Sequence, residues 1–142
     1  TPDDLAAVLD LRERVFGGEQ GVPDARVLDP DDHRSVHALA TLDDGVAAEP
    51  VGTGRLTPGA GPWPDAQIAW VATLPEHRRH GVGAAVMRFL LDAADASGAP
   101  AVLLSAQIHA LSFYKRLGFL PYGGRFHSHG IEHQLMVRRR PD

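Results

Sequence analysis

Arg78, Arg79 and His80 stand directly before Gly81-Val82-Gly83, and this stretch, RRHGVGAAVM, follows the apolar run and proline of IAWVATLPEH. Glycines at 81 and 83 let the backbone approach a ligand with no Cβ in the way. The first amides of a helix beginning there lack intrahelical acceptors, and with the helix dipole they form a cradle for an anion, most naturally a phosphate. Three phosphate-binding turns are compatible with Gly-x-Gly. A P-loop requires Gly-Lys-Ser/Thr, which is absent, and this argues against magnesium-dependent phosphoryl transfer. A Rossmann turn requires a third glycine where Val86 stands, and no following strand ends in a ribose-binding acid. What remains is a basic residue, two others, then Gly-x-Gly, directly after a strand and a proline.

The composition bounds what can surround this turn. At 142 residues the chain reads as one domain, residues 1–142, with 44% hydrophobic and 23% charged residues. A chain of that length buries about two thirds of its unfolded surface. The formal charge of −4 gives no general attraction to nucleic acid or an anionic membrane, so an anion site must be local. The absence of cysteine excludes disulfides, thiolate catalysis and Cys-ligated zinc, and fits a cytoplasmic setting. No apolar run approaches the roughly 20 residues that span a bilayer, and no signal-peptide pattern opens the chain.

The elements that must position the turn follow from periodicity. Thr1-Pro2-Asp3-Asp4 is a helix start, and Leu5, Val8, Leu9, Leu11 and Val15 continue it to about Phe16. A domain that opens on a helix cap suggests that a short strand precedes residue 1. Residues 17–34 read as a loop with a short helix. Residues 35–42, 51–56 and 67–74 read as strands, with turns over 43–50 and a Pro/Gly loop over 58–65. After Gly81, the residues Val82, Ala85, Val86, Phe89, Leu90 and Ala93 make the apolar stripe of a helix ended by Gly98 and Pro100. A short buried strand over 101–104 follows, then a helix carrying Ala110, Phe113, Tyr114 and Leu117. Residues 119–122 and 131–138 close the chain as a hairpin joined by GGRFHSHG. The fold class is mixed α/β around a central sheet.

Two motifs now combine. Val71 to Met87, with Arg78-x-x-Gly81-x-Gly83, resembles the acetyl-coenzyme A signature of the GNAT superfamily of N-acetyltransferases. Ala110-x-x-Phe113-Tyr114-x-x-Leu117-Gly118-Phe119 resembles that superfamily's last helix. Phe16-x-x-Glu19-Gln20-Gly21-Val22-Pro23, Ser105-Ala106-Gln107-x-His109-Ala110 and Gly130-Ile131-x-His133-x-x-Met136 are similar to the ElaA-like branch. The resemblance covers nearly the whole chain. It implies an acyl-CoA N-acyltransferase fold, with a mostly antiparallel sheet, a splayed parallel pair and flanking helices.

The resemblance also implies roles. The amides of Arg79, His80, Gly81, Val82, Gly83 and Ala84, beside Arg78, would bind the coenzyme's diphosphate. The backbone of Val71, Ala72 and Thr73 would hold the pantetheine arm as an added strand and offer an oxyanion donor. Gln107, Ala110 and Phe113 would contact the coenzyme, with Gln107 standing where asparagine is frequent. By spacing alone Tyr114 is a half-buried helix-face aromatic; the resemblance implies the general acid that protonates the departing thiolate. Many relatives carry a glutamate base on the strand before the turn, where this chain has Ala69. Glu19, or a water relay touching His37, His109 or His133, are the remaining candidates, and His133 also suits the acceptor pocket.

The implied reaction is direct acetyl transfer from acetyl-CoA to a primary amine of a small molecule. The loss of the strand glutamate leaves open an acyl-CoA sensor or weak partner subunit, and a protein or peptide amine is a third reading. A homodimer through the closing strands is a further expectation from the resemblance. His127, His129 and His133 read as loop and strand residues rather than a metal site, and Arg138-Arg139-Arg140 as a solvated terminus rather than a nucleic-acid patch. Arg55 reads as an ion-pair partner that stabilises the fold.

Overall fold

The computed structural model describes residues 1–26, 28–43, 45–59 and 62–141. The expected turn over 43–50 and loop over 58–65 therefore fall outside the described residues at 44, 60 and 61. Helix α1 (Pro2–Arg12) opens on a capping box: the Asp4 amide donates to Thr1 Oγ1 at 3.1 Å, and the Asp4 carboxylate accepts from the Thr1 amine at 3.5 Å. The expected end near Phe16 is replaced by a π-helical extension, Glu13–Glu19, in which the Gln20 amide reaches back to the Val15 carbonyl. The wider turn keeps Val15 buried and swings Phe16 edge-on against Trp70, with ring centroids 5.1 Å apart. A 3₁₀ turn, Pro30–Arg34, is the short helix expected before the first strand.

Strands β1 (Val36–Asp43), β2 (Ala48–Thr57), β3 (Ala66–Thr73), β4 (Ala101–Gln107), β5 (Leu120–Ser128) and β6 (Ile131–Arg139) form one sheet in the order β1-β2-β3-β4-β6-β5. Every neighbouring pair is antiparallel except β3 and β4. That parallel pair is joined at Ala66↔Val102, Gln67↔Leu103 and Ile68↔Leu104, after which the strands diverge. Mixed α/β architecture with a splayed parallel pair is thus the observed fold.

Helix α2 (Val82–Ala96) lies directly on β2 because glycines clear its path. A Cβ at Gly52 would stand 2.5 Å from Val82 Cγ1, and one at Gly54 would stand 2.9 Å from Leu90 Cδ1. Its buried stripe is Val82, Val86, Met87, Leu90, Leu91 and Ala94, rotated from the expected one: Ala85 and Phe89 face outward. The rotation brings Met87 and Leu91 into the core and leaves Phe89 exposed. A 3₁₀ turn, Ile108–Ala110, leads into helix α3 (Leu111–Arg116), whose Tyr114 packs edge-on against Phe119. Ile68, Met87, Leu90, Val102, Leu104, Phe119 and Met136 close the core between sheet and helices.

Three strands run well past their expected ends, and the first of them, β2, starts at Ala48 inside the expected turn. Strand β4 continues past residue 104 to Gln107, paired along its length with β6. Most of GGRFHSHG is strand rather than connection, and the chain turns at His129 and Gly130, both with positive φ. A register irregularity between Pro121 and Arg125 is absorbed by the Gln134 amide, which donates to the Tyr122 and Gly123 carbonyls at 3.1 Å each. Arg55 pairs with Asp32 at 3.1 Å and with Asp29 at 3.4 Å, the structural role expected of it. No helix among the described residues is long and apolar enough to cross a membrane.

Candidate functional site

A cleft of about 1130 Å³ opens where β3 and β4 part. Its floor at one end is the start of α2. Gly81 adopts φ +80 and ψ 5, a left-handed conformation open to glycine at little strain, so the glycine is required there by backbone shape. Gly81 makes no capping bond, and the first helical bond runs from the Ala85 amide to the Gly81 carbonyl at 3.0 Å. The amides of Val82, Gly83 and Ala84 therefore remain available on the cleft wall. Gly83 serves a different purpose: a Cβ there would stand 3.4 Å from the Phe113 ring, which closes the cradle from α3.

The β3 wall is shaped by a bulge. Thr53 pairs with Ala72 and Arg55 with Ala69, so Trp70 and Val71 together oppose Gly54. Trp70 takes φ +57, an uncommon conformation for a bulky residue, and its ring lies against Phe16 and under the Arg12 guanidinium, 5.2 Å away. From Ala69 onward β3 has no partner on its β4 side, which leaves the main chain of Val71 to Thr73 facing the gap.

Tyr114 reaches the cleft from α3 and is 9% exposed. Burial pushes its phenol up to about 12, so it keeps its proton throughout the neutral range and is a standing donor. His133 lies opposite Gln107 in the β4–β6 register and stacks on Phe126 at 5.6 Å. Its Nδ1 lies 2.8 Å from the Ile131 carbonyl. A carbonyl only accepts, so Nδ1 carries the hydrogen of the neutral ring and Nε2 is left with a lone pair.

Glu19 is held differently. Arg78 Nη1 and Nη2 donate to its two oxygens at 2.7 and 2.5 Å, while Arg78 Nε donates to the Thr73 carbonyl at 3.1 Å. The hydrogen bond from Arg78, outweighing the opposing effect of burial and assisted by the charges of Arg78 and His109, lowers the Glu19 pKa below its ordinary value. The same bond raises that of Arg78. A carboxylate so occupied is a poor proton acceptor.

The cleft gathers Glu19, Val71, Ala72, Thr73, Arg78, Arg79, Gly81, Val82, Gly83, Ala84, Gln107, Ala110, Phe113, Tyr114 and His133. His80 is exposed outside its lining, and His37 is bound elsewhere, its Nε2 on the Asp32 carbonyl at 2.9 Å. Phe16 and Gln20, which the sequence marked only as part of a branch motif, and Trp70, which was given no site role, also line the cleft. Gln20 exchanges amide hydrogen bonds with Gln107 at 2.8 and 3.4 Å. Its adjacency to Glu19 was the available signal. Among the described residues no group of three His, Asp or Glu side chains is gathered that could hold a metal ion.

Residues 5–119 match the profile of the acetyltransferase (GNAT) family. YjcF of Bacillus subtilis, an uncharacterized N-acetyltransferase, is 34% identical over 131 residues, spanning 90% of this chain and 87% of its own. Escherichia coli ElaA superposes with a TM-score of 0.85 at 28% identity over 98% of this chain and 92% of that one. An acyl-CoA N-acyltransferase from Pseudomonas aeruginosa gives 0.83 at 30% identity over 97% and 91%.

Proposed function

Because this chain belongs to the acetyltransferase (GNAT) family, we propose that it carries acetyl from acetyl-CoA to the primary amine of a small-molecule acceptor. The observation that carries this reading is a single cleft in which an uncapped helix start, an unpaired strand edge and a protonated phenol converge. The amides of Val82, Gly83 and Ala84, with Arg79 beside them, would hold the diphosphate. The coenzyme's arm would run along Val71 to Thr73, with Phe113 closing over it.

The acceptor arrives as an ammonium of pKa near ~10.4 and must lose a proton before it attacks. His133 Nε2 has the free lone pair and the fixed tautomer for that task, directly or through a water. The amine nitrogen then bonds to the acyl carbon, a main-chain amide of the β3 bulge supports the developing oxyanion, and the carbon–sulfur bond breaks. Tyr114 donates its hydrogen to the departing thiolate and is reprotonated by the second proton that the acylated nitrogen sheds. No covalent enzyme intermediate is needed.

Among the described residues lining the cleft, Glu19 is the one carboxylate, and Arg78 neutralises it. The central test is Tyr114→Phe. Its expected result is a kcat lower by about 10²–10⁴-fold with coenzyme A affinity unchanged by calorimetry; full turnover removes the acid role. Coenzyme A binding with no thiol released across an amine panel would instead mark an acyl-CoA sensor.

A further inference from the structure

The segment Glu13–Gln20 is tied to both lips of the gap by adjacent residues. Glu19 holds Arg78, which follows the end of β3, through a two-pronged ion pair. Gln20 holds Gln107, the last residue of β4, through reciprocal amide bonds. Both anchors are groups an incoming acyl-coenzyme would use. The Arg78 guanidinium stands in the same cleft wall as the free amides at the start of α2, and the Gln107 amide faces the gap in which an extended arm would lie. A carboxylate on that guanidinium cancels the charge that would draw a diphosphate.

We infer that Glu19 is a positioning residue acting as an internal counter-anion: it competes with the coenzyme's diphosphate for Arg78, so that donor binding frees the Glu13–Gln20 segment and reshapes the acceptor wall. This rests on the acyl-transfer reading above. The structural means are in place. The segment is π-helical, contains Gly17 and Gly18, and is followed by Gly21 at φ +73, so it can move without unwinding α1. The pair it must give up is only half-buried, with side-chain exposures of 41% for Arg78 and 37% for Glu19. An exchange of partners at such a site is cheap in comparison with breaking a buried pair.

Calorimetric titration with coenzyme A tests the competition. Glu19→Gln is expected to bind it on the order of three- to tenfold more tightly than the unaltered protein, with the gain shrinking as salt is raised, because one uncompensated positive charge then faces the diphosphate. A merely structural role predicts the opposite sign, since loosening the wall would weaken binding. Glu19→Asp is expected to restore an affinity near that of the unaltered protein. In an Arg78→Gln background the Glu19 substitution is expected to have no effect on affinity. Hydrogen exchange supplies a second readout: coenzyme A should speed exchange across residues 13–22 of the unaltered protein, and Glu19→Gln should exchange fast without it. Unchanged or weaker affinity in Glu19→Gln, or slower exchange of 13–22 on binding, overturns the inference while leaving acyl transfer intact. Failure of the unaltered protein to bind coenzyme A at all overturns both.

Discussion

Two arginine–carboxylate forks of nearly identical chemistry sit on this molecule and serve opposite ends. Arg12 and Asp32 meet through paired bonds of 3.0 Å with both side chains 1% exposed. Arg55 adds a third bond to Asp32 at 3.1 Å. Burial alone would push the Asp32 pKa up, but the hydrogen bonds from Arg12, the Asp29 amide and Arg55 overturn it and bring the group to about 2. The Arg78–Glu19 fork has the shorter bonds, 2.7 and 2.5 Å, but stands half in water. Surroundings, rather than bond geometry, decide that the first is a permanent rivet between α1, the 3₁₀ turn and β2, and the second an exchangeable clasp.

The comparison breaks most directly at Asp32. Asp32→Ala leaves Arg12 buried without a counter-charge and Arg55 with Asp29 alone, and it is expected to destabilise the fold by about 3–5 kcal/mol in urea or thermal unfolding. A loss below about 1 kcal/mol would show that Arg12 and Arg55 find water instead. Acid provides a gentler probe. The folded pKa of Asp32 lies below its ordinary 3.8, so its contribution is fully present above that value and is lost as pH falls toward about 2. The expected decrement is about 2 kcal/mol, and it should be missing from Asp32→Asn. At the small end, Glu19→Ala is expected to change stability by less than about 1 kcal/mol, with a salt dependence that Asp32→Ala lacks. Stability losses of equal size at the two sites would abolish the distinction.

The same contrast explains what was legible in the sequence. Gly81 and the basic residues before it announce their geometry locally, because a left-handed cap demands a particular residue type. The alternation of branched residues placed β1 to β3, and the motif around Tyr114 placed α3. Only the Arg55 side of the rivet was legible: Arg12 reads as the polar side of a helix, and only tertiary packing sets it over Trp70 and against Asp32. The clasp was missed for the same reason, since residues 19 and 78 meet across a fold and not along an element. Periodicity also misread α2, where Phe89 looks apolar enough to be inside but Met87 fills the core. The π-helical extension had no signature beyond two glycines that more readily suggest a loop.

The bare surface of β2 beneath α2 has a consequence for how a ligand would be met. With no side chains at Gly52 and Gly54, the first turns of α2 are seated on the sheet through Val82, Val86 and Leu90, so the donors at its tip are held still by the body of the protein. An incoming anion would then surrender little freedom on the protein's behalf, and the ordering entropy of association would fall on the guest alone.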